Sequence, residues 1–142
     1  MSTTERVREV HAAIAHGDYG AVAAALDPAV RWHAGNPQEG CAGREQALVW
    51  IRRAGDSGRP LPEIVRVVEA GEHVVVVLQR RPSAAEPDPP RTANLTTLRD
   101  GLVVEMVHYD DAESALDELS RRASSASASA PPTASSGTDG SR

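Results

Sequence analysis

The segment DGLVVEMVHYDD, residues 100–111, joins a turn signal to a strand, and the rest of the chain is interpreted from it. The Asp-Gly pair at its start is typical of a tight hairpin turn, because both residue types tolerate a positive φ. The eight residues that follow are mostly β-branched or apolar, which predicts a strand. Alternate residues of a strand share a face, and here they are Leu102, Val104, Met106 and His108. This face is apolar until its final imidazole, as expected of a ligand pocket or of a capped core.

Composition limits the class of protein. The chain has 142 residues, enough for one domain, and its net charge of −5 argues against a nucleic-acid partner. Its one cysteine, Cys41, permits no internal disulfide and fits a reducing compartment. The N-terminus does not resemble a signal peptide, and no apolar run approaches the ~20 residues that span a bilayer. We therefore expect a cytoplasmic protein without a membrane or nucleic-acid partner.

Two short helices are predicted at the start of the chain. Ser2-Thr3-Thr4-Glu5 fits a capping box, and apolar residues recur behind it at helical spacing until Gly17 ends the helix. Asp18 can cap the second helix, which Asp27-Pro28 stops because proline cannot donate the next hydrogen bond. Such a helical hairpin is expected to lie on a flat surface.

A strand, a loop and a third helix follow. Residues 30–34 predict a strand with Val30 and Trp32 on one face, and the turn residues at 35–40 predict a loop. The third helix is expected over residues 44–53, with Gly55 as its stop signal.

The second half of the chain has the period of a sheet, with strands expected over 61–69, 74–78 and 92–99 before the segment at 100–111. The strand at 74–78 is apolar on both faces, which indicates a central strand covered on both sides. Four prolines make residues 82–90 a loop at an edge or rim of the sheet.

The C-terminal end divides the chain into a domain and a tail. Residues 112–119 predict a short helical turn, which would end a domain spanning 1–119. Residues 120–142 are rich in Ser, Ala and Pro and carry no apolar anchor. Such a segment cannot offset the entropy of ordering it, so we expect a disordered tail.

Helices followed by antiparallel strands define an α+β fold, and three local patterns resemble the SnoaL-like branch of the nuclear transport factor 2-like superfamily. The patterns are DPAVRWH at 27–33, GREQA at 43–47, and DGLVVE leading into HYDD at 100–111. The resemblance covers roughly residues 5–119. It implies a cone-shaped curved antiparallel sheet packed on three N-terminal helices, a cystatin-like α+β barrel.

The resemblance also implies a pocket for a small apolar molecule and, often, a homodimer packed through the outer face of the sheet. It does not determine the chemistry, because this fold hosts ketosteroid isomerases, polyketide cyclases, epoxide hydrolases and plain binding modules.

Two histidines are the catalytic candidates. His108 stands where the cyclases and epoxide hydrolases that the chain resembles keep an acidic residue, and an imidazole can also act as a general base near neutral pH. Alternatively, His108 caps the core and bonds a neighbouring backbone group. His33 lies near the position of the proton-shuttling aspartate of ketosteroid isomerases. Alternation places it opposite Trp32, which favours a rim or interface role.

The candidate ligand-binding residues are Trp32, Tyr19, Val104, Met106 and Arg80. Trp32 is expected in the pocket wall, whereas Trp50 is expected in the core and Tyr19 is better explained by packing between helices. The other histidines, at 11, 16 and 73, are interpreted as helix-surface or turn residues. Arg80 supplies an arginine at the end of the central strand, but Pro82 and His108 occupy the places of the acids that epoxide hydrolysis requires.

No metal or cofactor motif is found. A site formed by His33 and His108 would lack a carboxylate ligand, and there is no HExxH, glycine-rich phosphate loop or GxSxG. Two functions remain open. The first is a cofactor-free acid/base isomerase or cyclase acting on an apolar carbonyl compound. The second is a non-catalytic ligand-binding or dimerisation module with structural histidines.

Overall fold

The structure, a computed structural model, describes residues 2–33, 40–56 and 61–129, with side chains up to residue 125. Its helices and strands in chain order are α1 (Thr3–Ala15), α2 (Tyr19–Ala25), β1 (Leu26–His33), β2 (Cys41–Ala42), α3 (Arg44–Asp56), β3 (Glu63–Ala70), β4 (His73–Gln79), β5 (Arg91–Arg99), β6 (Leu102–Tyr109) and α4 (Ala112–Ser129). None of the helices in these ranges is long and apolar enough to cross a membrane.

The local signals at the first turns are confirmed. Ser2 and Glu5 form the reciprocal capping box of α1, and the Asp18 side chain caps α2 by accepting from the amide of Ala21. In the turn between β5 and β6, Asp100 and Gly101 both adopt positive φ angles, of 55° and 79°. These turns allow neighbouring elements to pack against each other with little intervening chain.

The six strands form one curved sheet in the order β2-β1-β6-β5-β4-β3. β3 to β6 pair antiparallel, as expected, but β1 pairs with β6 in the parallel direction. The sheet is therefore mixed. Because β1 joins next to the last strand, residues from the two ends of the fold share one region of the sheet.

The apolar strand β4 is covered on both sides, as its sequence predicts. Its even-numbered residues, Val74, Val76 and Leu78, pack with α1, α2 and α3 on the face that we call the inner face. Val75 and Val77 point to the opposite, outer face and pack against Ala115 and Leu119 of α4. Burial on both faces explains why this strand shows no alternation. The prediction of a central position is wrong, because β4 lies next to the edge strand β3 and is covered by helices on both sides.

The C-terminal helix is longer than the sequence suggests. α4 continues through Ser129, whereas the predicted helical turn ends at residue 119 and disorder is predicted from residue 120. That prediction is wrong for residues 120–129. Arg122 explains the first part of the extension, since its guanidinium bonds Glu118 within the helix and Glu105 on the sheet. The rest of the predicted tail, 130–142, lies outside the described residues.

A β-bulge changes the face on which β6 places its side chains. Leu98 of β5 pairs with Val103, whereas Thr97 pairs with Glu105, so Val104 is an extra residue without a partner. Val103 therefore packs in the inner core, together with Met106 further along the strand. The prediction that Leu102 and Val104 share a face with Met106 is wrong, because alternation holds only in a regular strand.

Two element ends also differ from the prediction. β1 begins at Leu26, before Asp27-Pro28, and its pairing with β6 is irregular between Leu26 and Arg31. α3 continues through Gly55 to Asp56 instead of stopping there. A Cβ atom at Gly55 would collide with the Tyr19 hydroxyl of α2, so this glycine provides space for helix packing. The predicted loop at 35–40 and Ala34 fall almost wholly outside the described residues.

Candidate functional site

An apolar cavity of about 540 Å³ lies between α1, α3 and the inner face of the sheet. We call it the inner cavity. It is lined by Arg8, His11, Ala12, Ile14, Ala15, Trp32, Trp50, Ile51, Ala54, Leu61, Pro62, Ile64, Leu78, Asn94 and Met106. Its volume lies within the range of roughly 300–1,000 Å³ that is usual for small-molecule sites.

The wall of the inner cavity is mostly hydrocarbon. Among its described residues, Arg8, His11 and Asn94 carry polar side chains, the indoles of Trp32 and Trp50 each add one N–H donor, and none carries a carboxylate. Apolar walls with a few polar groups are typical of sites that bind a small organic molecule, because the walls supply affinity and the polar groups set its orientation. The arrangement fits a ligand that is largely apolar.

His11 is the polar residue most affected by this environment. It lines both the inner cavity and a smaller void of about 10 Å³ beneath it. Its Nε2 atom is buried and has no hydrogen-bond partner among the described residues. Burial, helped by the charge of Arg8, lowers the pKa of His11 to about 4. The imidazole is therefore neutral at pH 7, and it lines the cavity with atoms other than the buried Nε2.

Asn94 connects the cavity to His108. The two residues pair directly across β5 and β6, and Nδ1 of His108 lies 2.9 Å from Oδ1 of Asn94. Because a carbonyl oxygen only accepts, the His108 ring donates through Nδ1. Its other nitrogen lies 3.6 Å from Asp110, and its side chain is 37% exposed. Asn94 lines the inner cavity, whereas His108, its cross-strand neighbour on the same face, does not.

The entrance is marked by exposed residues that also line the cavity. Trp50 of α3 is 48% exposed and Leu61 is 37% exposed. The prediction of Trp50 as a core residue is wrong, since Ala47 and Ile51 take the buried positions of α3. Trp32 and Met106 lie in the wall of the cavity, and Thr96 donates its hydroxyl to Sδ of Met106 at 3.5 Å.

His33 faces away from the inner cavity. It is 6% exposed and sits opposite Val107 on the outer face, where Nε2 lies 3.1 Å from Oε2 of Glu105. Glu105 also accepts from Arg122 of α4. Burial alone would raise the pKa of Glu105, but the hydrogen bonds from His33 and Arg122 outweigh it and hold the pKa below its ordinary value. His33 thus belongs to the contact between sheet and α4.

Three of the candidate ligand residues do not line the cavity. Tyr19 packs against α3, with the Arg52 guanidinium 4.8 Å above its ring. Arg80 follows the end of β4 and makes a bidentate pair with Glu86 in the proline-rich loop. Val104 is displaced by the bulge. Within the described ranges, no cluster of three or more His, Cys, Asp or Glu residues is placed to hold a metal ion.

His11 is the site residue that the sequence interpretation missed. The prediction of a helix-surface position is wrong, because His11 lies on the face of α1 that packs toward the sheet and carries Val7, Val10 and Ile14. The spacing 7, 10, 11, 14 is the apolar stripe of an amphipathic helix, and the imidazole occupies one of its positions. That position is a signal that could have identified it.

A curved sheet with three helices closing over an apolar cavity defines the nuclear transport factor 2-like class of α+β proteins. The family model of the SnoaL-like domain matches residues 7–106. The chain therefore belongs to the SnoaL-like family.

Solved structures show the same fold. A nuclear transport factor 2-like protein of unknown function from Burkholderia pseudomallei is 24% identical, with a TM-score of 0.61, over 82% of this chain and 97% of that one. A candidate polyketide cyclase from Sinorhizobium meliloti is 16% identical, with a TM-score of 0.61, over 76% and 99%. A candidate ketosteroid isomerase from Kribbella flavida is 17% identical, with a TM-score of 0.60, over 75% of each chain. No curated protein matches the sequence.

Proposed function

We propose that the protein binds a small, largely apolar organic molecule in the inner cavity, with His11 as part of its wall. The observation that carries the proposal is a cavity of about 540 Å³ whose described wall is mostly apolar and holds no carboxylate. A buried imidazole nitrogen without a protein partner costs free energy unless a ligand or water satisfies it. A turn of the His11 ring toward the cavity would let a ligand carbonyl or hydroxyl group supply that partner.

The test measures binding of the neutral fluorophore N-phenyl-1-naphthylamine. We expect saturable binding with one molecule per chain. Ala12→Trp, which places an indole in the cavity wall, should abolish binding. Ala24→Trp makes the same change on exposed α2, outside the cavity, and should leave binding intact. Equal binding by the two variants would show that the fluorophore occupies another place.

The second candidate function is a cofactor-free acid/base isomerase or cyclase acting on an apolar carbonyl compound. It is supported by the neutral His11 imidazole and the Asn94 carboxamide, which could both bond an oxygen that gains negative charge. However, a histidine with a pKa of about 4 is a weak base, and no carboxylate lines the described wall. These observations favour binding over proton abstraction.

Deuterium exchange distinguishes the two candidates. An acid/base catalyst should exchange the α-protons of a bound ketone such as 2-tetralone in D₂O, and NMR follows the loss of their signal. Under the enzyme hypothesis, His11→Leu and His108→Ala would reduce the exchange rate by about tenfold or more. Under the binding hypothesis, wild type and variants exchange at the rate of the buffer.

Oligomeric state and location remain proposals. The outer face, which the resemblance implies as a dimer surface, is occupied along β4 and β5 by α4. We therefore propose that a homodimer would form on the part of the sheet that α4 leaves free, and light scattering of the purified chain measures its mass. A cytoplasmic location stays a prediction from the single cysteine.

A further inference from the structure

We infer that the molecule taken up by the inner cavity is a monocarboxylate with an apolar body, whose carboxylate pairs with Arg8. This inference rests on the proposed function and specifies the chemical class of its ligand. Three features support it: Arg8 carries the one formal charge on the described wall, it has no acidic partner among the described residues, and it lies on the same face of α1 as His11.

Arg8 is the one formal charge on the described wall of the cavity at neutral pH, because His11 is neutral there and no acidic side chain lines it. An isolated cation beside a low-dielectric cavity attracts an anion more strongly than the same cation in open water. The effect already reaches the wall, since the charge of Arg8 contributes to the lowered pKa of His11.

Arg8 has no acidic partner in the described part of the chain. Its two acidic neighbours on α1 are engaged elsewhere. Glu5 accepts from the Ser2 amide in the capping box, and Glu9 accepts from Nη1 of Arg6 at 2.6 Å. The guanidinium of Arg8 is exposed at the edge of the cavity and free to make a bidentate contact with an incoming carboxylate.

The polar groups are ordered along the helix from the edge of the cavity inward. Arg8 and His11 are three residues apart, so they lie on the same face and roughly 4.5 Å apart along the axis. A molecule whose carboxylate meets Arg8 would place its apolar body beside His11, against Trp32 and Met106. One arginine balances one negative charge, which favours a carboxylate over a phosphate monoester that carries nearly two.

The experiment compares an acid with its neutral analogue of the same shape. 2-Naphthoate and 2-naphthamide each displace N-phenyl-1-naphthylamine at pH 7.5, where the acid is ionised. In the wild-type protein we expect the acid to bind about tenfold more tightly than the amide, with the preference shrinking as NaCl is raised from 20 to 200 mM.

Arg8→Gln should weaken the binding of 2-naphthoate by about tenfold and that of 2-naphthamide by less than about twofold. Arg8→Lys should retain part of the preference, because it keeps the charge and loses the planar fork. Arg53→Gln removes an equal charge at an exposed position of α3 outside the cavity wall, and it should leave the affinity for both ligands unchanged. Circular dichroism confirms that each variant is folded.

Two outcomes would overturn the inference. If the acid and the amide bind the wild type equally, or if Arg8→Gln weakens both alike, the cavity binds apolar molecules without selecting a carboxylate, and the proposed function survives. If neither ligand nor the fluorophore binds, the proposed function itself fails, and the inference fails with it.

Discussion

Nδ1 of His108 lies 2.9 Å from Oδ1 of Asn94, and only Asn94 of this pair lines the inner cavity. The imidazole that ends the apolar row of β6 is therefore one residue removed from the space where a ligand would bind. Its donated hydrogen bond engages the carboxamide oxygen of Asn94. His108 therefore contacts a residue of the cavity wall without lining the cavity itself, and we propose that it orients Asn94.

The first prediction concerns this pair. His108→Ala should destabilise the fold by about 1 kcal/mol, because it removes one hydrogen bond from a side chain that is 37% exposed. Ligand affinity should fall less than in His11→Leu, since Asn94 keeps its place in the wall. Urea unfolding and fluorophore titration measure the two effects. A double-mutant cycle with Asn94→Ala tests the coupling, and additive losses would contradict an orienting role.

The second prediction concerns the pH dependence of stability. In the folded state the pKa of His11 is lowered to about 4, whereas its ordinary value is 6.5, so only the unfolded chain takes up this proton between those values. The contribution of His11 to stability should therefore fall as the pH decreases from 6.5 to 4, by roughly 3 kcal/mol in total and about 2 kcal/mol by pH 5.

Replacement of His11 isolates this contribution. His11→Leu should remove its part of the slope, and should be neutral or stabilising at pH 7.5 because it eliminates a buried nitrogen without a partner. His16→Leu, on the exposed C-cap of the same helix, is the control for loss of an imidazole. Urea titrations at pH 5 and 7.5 measure the difference. A slope in His11→Leu equal to that of the wild type would exclude a buried, neutral His11.

The third prediction concerns the docking of α4. Glu105→Gln should destabilise the fold by about 1–2 kcal/mol at pH 7, because a neutral amide makes weaker hydrogen bonds to Arg122 and His33. The pKa of Glu105 is held below its ordinary value, so this stabilisation is present above pH 4.5 and is lost as the pH falls through the lowered value.

Hydrogen exchange locates the effect. Amides of α4 should exchange faster in Glu105→Gln than in the wild type, whereas those of α1 should change little. Asp117→Asn neutralises an exposed carboxylate on α4 and serves as the control. Unchanged protection of α4 in Glu105→Gln would show that the apolar contacts of Ala115 and Leu119 hold the helix without the ionic network.

The fourth prediction concerns Gly55 inside α3. An ordinary Gly→Ala change in a helix stabilises by roughly 0.5–1 kcal/mol. Here the new methyl group would collide with the Tyr19 hydroxyl, so Gly55→Ala should be neutral or destabilising. In a Tyr19→Phe background the same change should regain the ordinary benefit. Thermal unfolding of the four proteins measures this, and an equal effect of Gly55→Ala in both backgrounds would contradict the contact.

The sequence predicted much of the fold because its main signals are local. The capping box at Ser2 depends on residues three positions apart, and the Asp100-Gly101 turn depends on two adjacent φ angles. The unbroken apolar run of β4 depends only on burial of both faces. Each of these was confirmed.

The cavity was predicted less well, because its residues are set by register and packing. One extra residue at Val104 moves the inner face of β6 to Val103, and no local pattern shows the bulge. Trp50 and Ile51 are adjacent in α3, but only the arrangement of the neighbouring elements decides that one lines the entrance and the other the core. His33 and Arg122 are 89 positions apart and meet through Glu105 alone.

By itself, the sequence determined the α+β class, the burial of β4 on both faces and the apolar character of the site, since these follow from periodicity and turn chemistry. Tertiary structure alone decided which histidine meets the cavity. His108, at the end of β6, bonds Asn94 but does not line the cavity, whereas His11 lines it from α1. The reason is that the chain sets which side chains share a face, but long-range pairing sets what that face encloses.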